Sequence, residues 1–361
     1  MRQNITYNQN IIDIWMKGKR PLLVCGHSFE MLEVRKHFSD VVRFQDFTPN
    51  PTYESVVAGV KTYRENRCNA IVAVGGGSAI DVAKCIKLFS NMDGKRNYLE
   101  QEIVANDIPF LTIPTTAGTG SEATRFAVIY FKGEKQSVMH VSCLPDTVVF
   151  IPSVLEKLPL YQKKATLLDA FCHAIESYWS VNSTDESKGY AKEAIQLILA
   201  NMEKYLSGEN NPKIYCQMLT ASNLAGKAIN ITQTTAGHAM SYKLTSLYGI
   251  SHGHAVALCV SKLWPYMIEH IDQCIDPRGT GYLTGVFDEI ADIMECKSSL
   301  EVADRFQDIL QSFELEIPRV REGDYPILVS SVNQDRVKNN PIKLACEDME
   351  CLYHEILGKQ S

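Results

Sequence analysis

The chain has 361 residues, 45 % of them apolar and 22 % charged, with a formal net charge of −6. At about 100–200 residues per domain, this length predicts two domains with sizeable cores. There is no basic excess, so a nucleic-acid or anionic-membrane partner has little electrostatic support and neither is expected.

The opening stretch, MRQNITYNQNIIDIW, has no signal-peptide apolar region, and apolar runs such as Ala255–Val260 are too short to cross a bilayer. From Leu22 onward, short apolar runs alternate with helical stretches. Leu22–Cys25, Val41–Phe44, Ala70–Val74 and Phe110–Ile113 read as buried strands, with Ala127–Tyr130 and Val148–Ile151 as further ones. Amphipathic segments at Tyr53–Asn66 and Ser78–Phe89 fall between them. Alternation of this kind predicts a mostly parallel sheet. After Pro152 the spacing turns helical, over Lys164–Trp179, Asp185–Leu206, Lys213–Ile229, His252–His270, Leu283–Glu295 and Ser299–Phe313. Asn333–Pro341 reads as a loop before a last helix, Leu344–Leu357. The expectation is an α/β domain over 1–155 and an all-α domain over 156–361, with a ligand in the cleft between them. Eleven cysteines without a C-x-x-C pair read as reduced thiols, so a cytoplasmic location is expected.

Two loops follow predicted strands. After Ala70–Val74 comes Gly75-Gly76-Gly77-Ser78, then Asp81. Three glycines allow close backbone approach to an anion, and the helix start offers free N–H donors. Ser78 and Asp81 have capping-box spacing. The motif is neither G-x-G-x-x-G nor G-x-x-x-x-G-K-[ST], and a tight turn without a ligand accounts for it equally well. After Phe110–Ile113 comes Pro114-Thr115-Thr116-Ala117-Gly118-Thr119-Gly120-Ser121-Glu122, whose hydroxyls suit ribose and phosphate oxygens, or simply water. Two such loops at strand carboxyl ends mark the place where open α/β sheets bind ligands.

Asp169 and His173 lie four residues apart, on one helix face. His238 and His252 follow, with His254 two residues on. One carboxylate and three imidazoles suit Fe, Zn, Ni or Co. Spacing alone leaves the alternative open that these are satisfied core groups, with Asp169 bonded to His173 inside one helix.

Together, the glycine loop with Asp81, the Thr-rich loop, Asp169…His173, His238 and His252 resemble the iron-containing (group III) alcohol dehydrogenases, over about Leu22–His270. The resemblance implies a dehydroquinate-synthase-like fold. It assigns Gly75, Gly76, Gly77, Ser78, Asp81, Thr115, Thr116, Thr119 and Ser121 to NAD(P)H. It assigns Asp169, His173, His238 and His252 to a divalent metal, Fe²⁺ or an alternative such as Zn²⁺, and it implies a homodimer. The reaction implied is reduction of a small aldehyde: a metal polarises the carbonyl oxygen and the nicotinamide delivers hydride.

The chain departs from that pattern in places. The family carries a second His four residues after the third ligand. Tyr242 stands there, with an ordinary phenol pKa near 10, so Tyr242 and His254 are both candidate proton donors. The Asp expected after the first strand is Gly26, which removes the charge that would repel a 2′-phosphate, so NADPH is expected to be accepted. Arg125 and Lys243 add cations suited to an anionic substrate. Segments 121–129 and 238–258 are similar to the phosphonoacetaldehyde reductase branch, which makes 2-hydroxyethylphosphonate. Three rivals are a broad small-alcohol or lactaldehyde-type dehydrogenase, a glycerol dehydrogenase or dehydroquinate-synthase-like enzyme, which fits the second loop less well, and a non-catalytic nucleotide-binding sensor, suggested by Tyr242.

Overall fold

The computed structural model describes residues 3–321 and 323–358; the first two residues of the N-terminal stretch and the last three of the chain lie outside them. The chain divides into two compact units, Met1–Leu158 with Asn210–Leu219, and Pro159–Glu209 with Thr220–Ser361. The expected boundary after residue 155 did not anticipate the return of Asn210–Leu219 to the first unit.

The first unit is built on a six-stranded sheet. Its strands are β1 (Asn4–Thr6), β2 (Pro21–Cys25), β3 (Val42–Phe44), β4 (Ala70–Gly75), β5 (Phe110–Pro114) and, after a hairpin, β8 (Thr147–Val149). They lie in the order β1-β8-β5-β4-β2-β3, and every pair is parallel. Strands β2, β4, β5 and β8 are buried along their whole length, which is why they read as continuous apolar runs. Helices α1 (Ile11–Met16), α2 (Tyr53–Glu65) and α3 (Gly77–Phe89) connect them. Val56, Val60, Ile80, Ile86 and Phe89 pack with Leu22, Ile71 and Phe110 in one core. Strands β6 (Phe126–Phe131) and β7 (Glu134–Met139) form a separate antiparallel hairpin, so the strand expected at Ala127–Tyr130 is outside the parallel sheet. Its two-residue turn has Lys132 at φ 53° and Gly133 at φ 81°, the backbone a tight hairpin turn requires.

The second unit is helical among the described residues. It contains α4 (Leu160–Trp179), α5 (Asp185–Leu206), most of α6 (Pro212–Thr232), α7 (Ala236–Tyr248), α8 (His252–Glu269), α9 (Thr280–Ile293), α10 (Ser299–Ser312), α11 (Asp324–Ser330), α12 (Gln334–Val337) and α13 (Cys346–Leu357). Trp179, Trp264, Phe306 and Phe171 form a continuous aromatic chain in its core, with successive centroids 5.2, 5.8 and 5.6 Å apart. Helix α12 lies inside the stretch expected to be a loop, Asn333–Pro341. No helix among the described residues is long and apolar enough to cross a membrane.

Helix α8 meets α4 at Gly253. A Cβ there would stand 2.0 Å from the Ala165 carbonyl oxygen and 2.6 Å from Asp169 Cβ, so only glycine permits this approach. The obstacle is backbone, which cannot rotate aside. Gly253→Ala should therefore destabilise the protein by at least about 1–3 kcal/mol, the cost of overpacking a close contact. Urea unfolding checks this; unchanged stability would mean that α8 is free to shift.

Candidate metal centre and glycine-rich loops

Asp169 and His173 project from α4, His238 from the first turn of α7 and His252 from the first residue of α8. Nε2 of His238 is 3.6 Å from Asp169 Oδ1, that of His173 3.9 Å and that of His252 4.0 Å. Three imidazoles thus converge on one carboxylate oxygen. The distances are too long for hydrogen bonds, so the alternative of an Asp169–His173 bond within one helix is not what forms. They are close to the edge of a tetrahedron, about 3.4 Å, expected around a cation with bonds near 2.1 Å. The ligand atoms of Asp169, His238 and His252 lie within 4.8 Å of one another. His173 approaches through Asp169, its ring stacked on that of His238 with centroids 4.4 Å apart.

Among the described residues, the buried atoms here with no hydrogen-bond partner include Asp169 Oδ1 and His238 Nε2. Both belong to residues under 5 % exposed. An acceptor of this kind left unpaired costs on the order of 1–3 kcal/mol or more, and a cation would satisfy both. Burial alone would raise the Asp169 pKa, but His173, His238 and His252 hold it well below the usual carboxylate range. Burial likewise opposes charge on His238, but Glu176 and Asp169 push its pKa up to about 10. The site calls for positive charge, either a proton or a metal ion. The donor set therefore fits a divalent transition metal.

Glu176 was not singled out in the sequence. It is fully buried, two helical turns beyond Asp169. Its Oε1 accepts from Thr235 N at 3.2 Å, Thr235 Oγ1 at 2.6 Å and His238 N at 3.2 Å, and its Oε2 meets His238 Nδ1. Burial would raise its pKa, yet His238 and these donors bring it below the usual value. The signal for finding it was its i+7 spacing from Asp169, a relation that has meaning only once α7 is known to dock there.

The candidate proton donors differ in setting. Tyr242 is half-buried and its ring lies nearly flat on that of His252, with centroids 5.7 Å apart and 17° between planes. His254 is buried, its Nδ1 3.2 Å from Tyr161 Oη, and burial lowers its pKa. Lys243 follows Tyr242 on α7. Arg125, in the first unit, is half-buried at the start of β6, its guanidinium 5.6 Å from the Phe126 ring centroid.

In the first unit the two loops start from paired positions of adjacent strands, Gly75 opposite Pro114, joined by Thr115 N donating to Gly75 O at 3.0 Å. They then pack on one another. A Cβ at Gly77 would stand 2.9 Å from Thr119 Cγ2, and one at Gly76 3.3 Å from Thr116. Thr115 and Ser121 are buried and Ser78 is half-buried. The expected capping box is not formed: α3 begins at Gly77, its cap residue Gly76 has no side-chain bond, and Asp81 turns the other way. Asp81 Oδ1 accepts from Ser121 Oγ at 2.6 Å and Oδ2 from Val128 N at 2.9 Å. Lys84, one turn on and fully buried, donates to Ser121 Oγ, Thr124 Oγ1 and Phe126 O and lies 3.9 Å from Asp81. Burial pushes the pKa of Asp81 up and that of Lys84 down, and the pair opposes both shifts. Helix α3 and the second loop are thereby held as one body, leaving the N–H groups at the start of α3 for an anion. A cavity of about 480 Å³ beyond β2 and β3 is lined by His27, Gln45, Asp46, Phe47, Thr48, Thr52 and Ser55.

Comparison with known proteins gives two family matches: iron-containing alcohol dehydrogenase over residues 8–152, and Fe-containing alcohol dehydrogenase family, C-terminal, over residues 163–357. A long-chain-alcohol dehydrogenase 1 of Geobacillus thermodenitrificans is 29 % identical over 86 % of this chain and 80 % of its own. A phosphonoacetaldehyde reductase of Streptomyces viridochromogenes is 32 % identical over 66 % of this chain and 64 % of its own. The crystal structure of sulfoacetaldehyde reductase from Bifidobacterium kashiwanohense with NAD⁺ superposes with a TM-score of 0.86, covering 99 % of this chain and 98 % of that one at 24 % identity.

Removing the ammonium of Lys84 leaves the Asp81 carboxylate without its counter-charge. Lys84→Met should cost about 3–5 kcal/mol, as expected when one partner of a buried pair is removed. Lys84→Met with Asp81→Asn should recover part of that loss. Denaturant unfolding of both variants checks it; a single variant as stable as the parent would show that the pair does not hold the loops.

Proposed function

Because the chain belongs to the iron-containing alcohol dehydrogenase family, we propose that this oxidoreductase reduces a small aldehyde to its primary alcohol with NAD(P)H and a divalent metal ion. The observation that carries the reading is the convergence of three imidazoles on Asp169 Oδ1, with that oxygen and His238 Nε2 buried and unpartnered. Asp169, His173, His238 and His252 would hold the ion, with Fe²⁺ first and Zn²⁺ as the alternative. When bound, it supplies a Lewis acid for the carbonyl oxygen.

The residues of the chain do the rest. Backbone N–H groups at Gly76, Gly77 and Ser78 hold the pyrophosphate at the start of α3, and the hydroxyls of Thr115, Thr116, Thr119 and Ser121 serve the second loop. Asp81 acts on the cofactor indirectly, by fixing Ser121. Tyr242, stacked on His252, supplies the proton that the product alcohol needs, whereas His254 is occupied by Tyr161 and packs. For the substrate, an anionic two-carbon aldehyde such as phosphonoacetaldehyde is favoured by Arg125 and Lys243 and by the 32 % identical reductase. Location in the cytoplasm and assembly as a homodimer complete the proposal.

Three measurements test this reading. Tyr242→Phe should lower kcat by about 10²–10⁴-fold, the usual contribution of a positioned acid, with little change in KM for the nicotinamide; His254→Asn should leave kcat near the parent value. An unaffected Tyr242→Phe enzyme would exclude the phenol as donor. Arg125→Ala or Lys243→Ala should raise KM for phosphonoacetaldehyde far more than for propanal, and equal losses on both would remove the role of these cations in binding an anion. NADPH should be accepted, since Gly26 carries no charge at the end of β2; a strong kcat/KM preference for NADH would instead assign discrimination to Asp46, which lines the same cavity as His27.

A further inference from the structure

We propose that Glu176 is a positioning residue of the metal centre: its carboxylate keeps the His238 proton on Nδ1, so that Nε2 offers its lone pair to the ion, while capping the helix that carries His238. The inference rests on the metal reading above and deepens it.

The hydrogen bonds around Glu176 have fixed directions. Trp179 Nε1 can only donate, and it donates to Thr235 Oγ1 at 3.1 Å. The Thr235 hydroxyl is left to donate in turn, to Glu176 Oε1. Thr235 N and His238 N donate to the same oxygen. Oε1 therefore faces donors only, and Oε2 is left for the imidazole. An ionised carboxylate satisfies all of these contacts, and it forces Nδ1 to be the protonated ring nitrogen. The unpartnered nitrogen is the other one, Nε2, which points at Asp169 Oδ1. A carboxylate behind a ligating imidazole fixes both tautomer and ring orientation.

The same group completes α7. Its cap residue, Thr235, forms no side-chain bond to the first turn, so the N–H groups there would lack acceptors. Glu176 takes the bonds from Thr235 N and His238 N, and the positive end of the helix favours its charge. A Cβ at Gly237 would stand 3.1 Å from Oε1 and 2.6 Å from Val260 Cγ2, so α7 docks close enough for this only with glycine there.

Glu176→Gln separates the two roles, because it keeps size and one acceptor. With its oxygen toward Thr235 and His238 N, its NH₂ meets Nδ1 and drives the proton to Nε2, which then cannot ligate. Flipped, the NH₂ meets three donors instead. Metal-free parent, Glu176→Gln and Glu176→Asp should be titrated with Zn²⁺ against a chromophoric chelator, with thermal melts of each metal-free form. Glu176→Gln should bind about 10–100-fold more weakly while remaining folded, with Glu176→Asp between it and the parent. Parent-like affinity in folded Glu176→Gln would overturn the proposal and leave the metal centre standing. A parent that binds no Zn²⁺ or Fe²⁺ would overturn both. If Glu176→Gln does not fold, nitrogen chemical shifts of the His238 ring in the zinc-loaded parent decide: a protonated Nδ1 supports the proposal and a protonated Nε2 overturns it.

Discussion

Helix α4 carries two carboxylates on one face, Asp169 and Glu176, both out of water and both turned on His238. An isolated buried carboxylate is costly unless hydrogen bonds or a counter-charge compensate it. The two are compensated differently. Glu176 is surrounded by donors from the start of α7, whereas Asp169 faces three imidazoles and keeps one oxygen unpartnered. Much of the second unit follows from bringing α7 and α8 close enough to α4 to meet those needs. Gly237 and Gly253 sit where α7 and α8 touch α4, at positions with no room for a side chain.

The first unit applies related physics to a different end. A parallel sheet ends two adjacent strands at the same level, so the loops after β4 and β5 emerge side by side. Asp81 and Lys84 then lock α3 to the second loop through Ser121, Thr124, Phe126 and Val128. A buried ion pair thus holds the two loops rigid without placing charge among the N–H groups at the start of α3.

The sequence made much of this legible. Buried parallel strands read as apolar runs, and α5 begins and ends where its spacing implies. The four presumed ligands were visible as residues, with Asp169 and His173 sharing a face. Helix α7 was not visible as a helix. It opens on Ala236-Gly237-His238 without a side-chain cap of its own and takes its cap from α4. For the same reason the i+7 spacing of Glu176 from Asp169 had no meaning in the sequence alone, since its partners lie 59 and 62 residues away. The local pattern around Ser78 and Asp81 misled because Asp81 found better donors at Ser121 and Val128, a competition that no local window contains. Strand β1, three residues long at the sheet edge, is too short for periodicity to show.

The central claim is that the Asp169 cluster holds a catalytic metal ion through imidazole and carboxylate alone. X-ray absorption at the zinc edge of the zinc-loaded protein tests it most directly. The account predicts a first shell of nitrogen and oxygen at about 2.0–2.1 Å with strong imidazole multiple scattering, all of it lost in His252→Ala or reduced by one imidazole. A sulfur shell near about 2.3 Å, or a spectrum unchanged in His252→Ala, would contradict it by placing the metal elsewhere in the chain.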